Sequence, residues 1–419
     1  MNFPAIKVPF LGASGFMAIV MLVHMILFAN FVVGGPLLAV ITEYIGVRKK
    51  DERYDLFARH LANMLFVAMV IGPVLGVGIV ALNTGLFPKF FTTGARIFFW
   101  PLAIEIIAFL VEAVFIVTYK YTWNRLQHRK GLHMFFGLLG AVGSWSSMFL
   151  INALASFLLT PGKWVQTHSA WDAFFNPSMW PSVSHRALAS LSIASFFMIA
   201  YALYMRKREP QPGYAAWALR YAGTWAVVTT ALQFVPGVWY LQKLPEAVWK
   251  KLLAGELTPY WYGAMLLAAL AVLIVHFSSR SAEKTMEHSG ARGLLWLSMA
   301  MIVATTMLMG FTRERARKPY LIYGVMYGNQ TFVEQVSAEK TEAGGAAEGE
   351  ALFKDNCAPC HPSVGGDAFA AAAKYSSDDA LKAFLRDPAS KGKDMMPPFD
   401  GSDAELDQLI QYLRQKAGQ

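Results

Sequence analysis

Near its C-terminus the chain reads Cys357-Ala358-Pro359-Cys360-His361, two thiols and an imidazole placed together by a single turn. Two sulfurs at this spacing can form thioether bonds to a porphyrin, and the imidazole that follows can ligate its iron. The chain has 2 cysteines in all, and no second ligand pair accompanies them, so they read neither as a disulfide framework nor as a zinc site. Covalently attached haem c is the reading that uses all three side chains. The opposite face of the iron calls for a soft thioether. Met396, in Asp394-Met395-Met396-Pro397-Pro398-Phe399, is the best placed, with Met395 as the neighbouring alternative.

Upstream, titratable and thioether side chains fall inside apolar stretches, where their cost marks ligand sites, proton relays or ion pairs. They are His24, Glu105, Glu112, His185, Met265 and Glu314. Glu105 and Glu112, seven residues apart, share one helix face. Singly, each has an ordinary explanation. An intramembrane histidine can be a helix-packing hydrogen bonder, a methionine core filler, and a carboxylate the partner of a basic group. Together, all but the deeper Glu112 fall at one level of the membrane, as iron held by side chains from separate helices would require.

The elements that must carry these residues follow from composition. The chain has 419 residues, 55% hydrophobic and only 16% charged, with a mean hydropathy of +0.37. A chain so apolar is expected to contain a membrane domain. Stretches able to cross about 30 Å of hydrocarbon, roughly 20 residues each, centre near Leu27, Val70, Ile107, Phe149, Phe197, Val228, Leu267 and Met301. The expected fold is all-α: a polytopic transmembrane helix bundle of about eight spans, then a small all-α cytochrome c domain. Residues 1–326 form the transmembrane part, 327–347 a polar linker and 348–419 the soluble domain. In that last segment Ser402 and Glu405 make a capping box for a helix through Leu406, Leu409, Ile410 and Leu413. Gly349 and Phe353 mark an earlier helix expected to cross it at Tyr412.

The formal charge of +9 sits in short clusters between apolar runs, which excludes a nucleic-acid face. Lys and Arg crowd the loops after odd-numbered spans, as in Arg48, Lys49, Lys50 and Arg53, or Arg206, Lys207 and Arg208. The loops after even-numbered spans are poorer, with Lys163 and Arg186 after the fourth. Both termini are therefore expected outside the cytoplasm, on the side where c-type haem is attached. The first apolar run is long and has no basic n-region, so it reads as an uncleaved span. Arg313, Arg315, Arg317 and Lys318 break the charge pattern by following the last span on the outer side.

The C-terminal segment resembles a class I cytochrome c, and the membrane part resembles subunit I of the cytochrome bd oxygen reductase superfamily. The second resemblance rests on Pro101-Leu102-Ala103-Ile104-Glu105, on Glu112 to Phe115 with Trp123, Arg125 and Leu126, and on Asn176-Pro177 nine residues before His185. It rests also on Glu314 with Arg317, Pro319 and Tyr320, a reduced form of the family's Glu-x-Gly-Arg-Gln-Pro-Trp. It covers residues 15–325, and a cytochrome c stands where the usual last span would be.

The resemblance implies that His185 and Met265 are axial ligands of a low-spin haem b, with Gly263 where the family has an arginine. It implies that His24 and Glu314 are axial ligands of two high-spin haems, b or d, one of which binds O2. Glu105 and Glu112 would then line the proton route as catalytic groups, and a second membrane subunit of the bd type or a related one would be a partner. The segment Leu241 to Pro259 is short and lacks the family's Lys and Glu for quinol, and Thr84 to Arg96 replaces an aromatic-rich stretch. Electrons are therefore expected from a periplasmic carrier such as a cytochrome c, through haem c. The expected protein is a multi-pass subunit of a terminal oxidase in a bacterial inner membrane, reducing O2 to water. The alternative is a b/c-haem electron-transfer module that links membrane quinol to periplasmic carriers without oxygen chemistry.

Overall fold

A computed structural model describes residues 12–25, 29–335, 349–358, 360–361, 367–393 and 396–417, and the chain divides into two compact units, Met1–Ala316 and Arg317–Gln419.

Every regular element described in the first unit is a helix. Helices α1 (Gly12–His24) and α2 (Asn30–Lys49) flank Leu27, which lies outside the described residues. The chain leaves α2 through Lys50 at φ 53°, and Asp51 caps α3 (Glu52–Leu86) by accepting the Arg53 N–H at 3.0 Å. Next come α4 (Pro88–Ile97), α5 (Phe99–Tyr121) and α6 (Lys130–Phe157), then the short α7 (Trp164–Thr167) and α8 (Ala170–Phe174). The unit continues with α9 (Met179–Met205), α10 (Tyr214–Leu232), α11 (Phe234–Gln242), α12 (Glu246–Ala254), α13 (Thr258–Arg280), α14 (Ala282–Glu287) and α15 (Ser289–Arg317).

Among the described residues 7 helices, α2, α3, α5, α6, α9, α13 and α15, are long and apolar enough to cross a membrane. The span expected around Val228 is the 19-residue α10, which is not one of them. Arg220, Thr224, Thr229 and Thr230 dilute its apolar residues, and it is packed between α9 and α13.

Lipid chains are as apolar as leucine, so what joins the spans is close contact rather than water exclusion. Glycines provide it where side chains would keep backbones apart. A Cβ on Gly34 would lie 2.1 Å from the Ser190 carbonyl oxygen, so α2 and α9 meet backbone to backbone. A Cβ on Gly143 would lie 2.6 Å from the Glu112 nitrogen, which presses α6 onto α5 at that carboxylate. Phe31, Leu38, Phe57, Leu61, Leu65, Met198, Ile199 and Tyr214 are buried in the core that these contacts enclose. Ile106, Ile107, Leu110 and Val114 of α5 and Val70, Val74 and Val77 of α3 point outward, exposed faces suited to hydrocarbon or to another apolar subunit.

The second unit begins with a short antiparallel hairpin, β1 (Tyr320–Ile322) with β2 (Met326–Tyr327). Among the described residues the helices α16 (Gly349–Asn356), α17 (Asp367–Ala372), α18 (Asp378–Arg386) and α19 (Asp403–Ala417) follow, with a short 3-10 helix at Pro388–Lys391. The capping box is formed: the Ser402 N–H donates to Glu405 Oε2 at 2.6 Å and the Glu405 N–H to Ser402 Oγ at 3.3 Å. The helix crossing is formed as well. A Cβ on Gly349 would lie 2.2 Å from the Gln408 carbonyl oxygen, and the Phe353 and Tyr412 rings are 5.5 Å apart. Leu381, Phe384, Leu406, Leu409, Ile410 and Leu413 complete a small core around Phe353 and Cys357.

Candidate haem sites

In the second unit the Cys357-x-x-Cys360-His361 residues leave the end of α16 in a tight turn. The Cys357 N–H donates to the Phe353 carbonyl at 2.8 Å, and the Cys360 and His361 N–H groups donate to the Cys357 carbonyl at 3.1 and 2.8 Å. Cys357 is buried, and Cys360 and His361 are half-buried. Met396 is partly buried against the same core as Cys357, while Met395 lies outside the described residues. The loop after Met396 is fixed from α18: Arg386 donates to the carbonyls of Phe399 at 2.9 Å and Gly401 at 2.6 Å, and Phe399 donates to the Leu385 carbonyl at 2.8 Å. The hairpin stands close by. Burial pushes the Tyr327 hydroxyl up to about 12, reinforced by Tyr320 and by the neighbouring Cys360 and Asp400.

In the first unit the two carboxylates of α5 meet serines of α6. Ser147 Oγ donates to Glu105 at 2.7 Å and Ser144 Oγ to the buried Glu112 at 2.9 Å. Glu105, Glu112 and Tyr119 recur every seven residues along one face of α5. At the Tyr119 end that face reaches a network missed in the sequence. Glu43 is fully buried and accepts from Tyr119 Oη at 2.7 Å and Lys130 Nζ at 2.9 Å, with His133 Nδ1 at 2.8 Å. Lys130 also pairs with Asp55, which accepts from Trp123 Nε1 at 3.2 Å. The repeat from Glu112 to Tyr119 was the available signal, but Lys130 reads as a loop residue until α6 is seen to start there.

His24 closes α1, His185 lies in the second turn of α9 and Glu314 in the last turn of α15. Each adjoins in sequence a member of one polar cluster. Met25, next to His24, offers its sulfur to Arg186 Nη2 at 3.3 Å, and Arg186 follows His185. Arg313, next to Glu314, donates to the Ala155 carbonyl, and Tyr240 and the Arg186 charge lie within electrostatic reach of it. Arg186 thus belongs inside α9 rather than in the preceding loop, because α9 begins at Met179. Arg313, Arg315 and Arg317 likewise do not follow the last span but continue it, since α15 runs to Arg317. Met265 is not drawn into this cluster: it is 36% exposed on α13.

Two observations test whether this unit suits haem. The buried His24 Nδ1 has no hydrogen-bond partner, and a Cβ on the facing Gly76 of α3 would meet only its Cε1, at 3.9 Å. His185 makes no hydrogen bond to the described residues, and a Cβ on Gly237 of α11 would approach it at 3.7 Å. Imidazoles left unpaired beside side-chain-free glycines fit the ligation of iron in a flat macrocycle.

The fold and these sites describe a polytopic membrane protein of the haem-oxidase type with an appended cytochrome c domain. Residues 14–260 match the family described as cytochrome bd terminal oxidase subunit I, and the chain belongs to that family. Residues 344–413 match cytochrome C oxidase, cbb3-type, subunit III. Over 197 residues the chain is 32% identical to the Bacillus subtilis (strain 168) protein named "Putative cytochrome bd menaquinol oxidase subunit I", covering 44% of this chain and 43% of that protein. It is 27% identical to "Cytochrome bd ubiquinol oxidase subunit 1" of the same organism over 197 residues, 44% of this chain and 41% of that one. The chain thus spans less than half the length of these curated relatives. A chain of the bd oxidase structure from Geobacillus thermodenitrificans superposes with a TM-score of 0.67 at 19% identity, covering 82% of this chain and 94% of that chain, a likeness of fold.

Proposed function

We propose that this chain is a subunit of a terminal oxidase that passes four electrons and four protons to O2, with electrons entering through haem c. The observation that carries the proposal is the presence of a bd-type bundle and a Cys-x-x-Cys-His turn in one chain. Haem, when bound, supplies one-electron transfer and, where one axial position is open, a place for O2.

The chain's own residues divide the work. Cys357 and Cys360 tether the soluble haem, and His361 and Met396 ligate it. In the bundle His185 and Met265 hold the low-spin haem b, and His24 and Glu314 the high-spin pair, of b or d type. Glu105 and Glu112, each fixed by a serine of α6, hold protons on the way to the O2 site. In this reading both termini and the cytochrome domain are periplasmic in a bacterial inner membrane, a second membrane subunit of the bd type is the partner, and a periplasmic cytochrome is a better donor than quinol.

One observation favours the second reading, a b/c-haem module carrying electrons between quinol and periplasmic carriers. Glu314 is paired with Arg313 at 3.3 Å, which competes with iron for its carboxylate. Carbon monoxide decides between the two. Added to the reduced, purified protein, it is expected to perturb the spectrum of an open high-spin haem, and an unperturbed spectrum would remove the oxidase reading.

A further inference from the structure

Arg186 is a guanidinium within a membrane-spanning helix, and its neighbours do not balance its charge. Its contacts among the described residues are the neutral Met25 sulfur at 3.3 Å and a long 3.5 Å contact to Asn152 Oδ1, and no carboxylate lies within 4.0 Å of it. Arg186 Nε and Asn152 Nδ2 are both buried with no hydrogen-bond partner, and Asn152 is 1% exposed. Among the described residues the other charged groups of the cluster are Arg313 and Glu314, which pair with each other at 3.3 Å. The cluster therefore holds two arginines to one carboxylate, with spare N–H donors in the bilayer, where an uncompensated charge is strongly disfavoured. Such a site is built for an anion. A guanidinium selects a planar, two-oxygen anion by forked hydrogen bonding.

Resting on the haem reading above, we propose that Arg186, supported by Arg313 and by the Asn152 amide, binds the propionate carboxylates of the bundle haem that His185 of α9 holds. The placement fits: Arg186 adjoins His185 in sequence and touches Met25, the neighbour of His24. A propionate at this point would satisfy the Nε and amide donors together, and its negative charge would offset the excess arginine. Arg186 would also set the haem's redox poise, since a nearby positive charge favours the ferrous over the ferric state.

The test uses the full chain, purified from membranes as wild type, Arg186→Gln and Arg186→Lys. Haem b per haem c is measured by pyridine haemochrome and the haem b midpoint potential by redox titration, with haem c as the internal reference. Arg186→Gln is expected to lower the haem b potential relative to haem c, or to lose haem b outright, and Arg186→Lys to retain haem b with most of the wild-type potential. Unchanged haem b content and potential in Arg186→Gln would overturn the proposal. Equal loss of haem b in both variants would overturn it too, since charge would then not be what matters. A wild type without haem b would remove the haem reading itself, and the proposal with it, whereas haem b in the wild type with no response to Arg186→Gln would sink the proposal alone.

Discussion

Two polar clusters in the helical bundle have opposite balances. Around Glu43 every charge is answered: the carboxylate accepts from Tyr119, Lys130 and His133, and Lys130 also reaches Asp55. Around Arg186 the donors outnumber the acceptors, and His24 Nδ1, Asn152 Nδ2 and Arg186 Nε remain buried and unpaired. Both clusters sit among membrane-spanning helices, so the contrast is not one of burial. A saturated network of this kind fixes helices α2, α3, α5 and α6 to one another. An unsaturated one has donors reserved for something that is not protein.

The contrast can be broken by removing one member of each cluster and reading haem and fold separately. The largest effect is expected at His185. His185→Ala should abolish the haem b spectrum while the haem c bands persist, and a b spectrum that survives would show that His185 is no ligand. Glu43→Ala should act on the fold instead. Removing one partner of a buried ionic network costs about 3–5 kcal/mol, so thermal unfolding followed by circular dichroism should move to clearly lower temperature. Should Glu43→Ala leave the melting temperature in place, the saturated cluster would not be the clamp described here. Ser144→Ala sharpens the comparison at its smallest scale. It removes one hydrogen bond to Glu112 and is expected to cost about 1–2 kcal/mol, seen as a slight shift of the same melting curve with the haem content intact. A loss of haem from Ser144→Ala would instead tie the Glu112 stripe to cofactor binding.

In the second unit the Ser402 helix, its crossing at Gly349 and the Cys-x-x-Cys-His turn were legible, whereas the Tyr320–Tyr327 hairpin, α17 and α18 were not. Its capping box at Ser402 and Glu405, its helix crossing at Gly349 and Tyr412 and its Cys-x-x-Cys-His turn depend on residues close in sequence, or on a glycine whose missing side chain marks a contact. In the membrane half the long helices were legible as apolar runs, although α10, read as a span, falls short of one, and the short helices α4, α7, α8, α11, α12 and α14 between them were not legible. Nor were the ends of the long helices. Arg186 and Lys130 looked like loop residues because a basic side chain lowers local hydropathy whether it lies in a loop or inside a helix facing the protein interior.

What the sequence by itself determined is what needs only local order: the Cys-x-x-Cys-His turn, the run of apolar spans and the heptad spacing of Glu105 and Glu112. What only the tertiary structure decided is pairing. That Glu43 meets His133 across 90 positions, that Gly143 brings Ser144 to Glu112, and that Arg186 stands beside Met25 with no carboxylate among the described residues to answer it, all follow from which helices touch. The physical reason is that periodicity sets which way a side chain faces along its own helix, whereas the neighbour it meets there is fixed by close packing between helices distant in the chain.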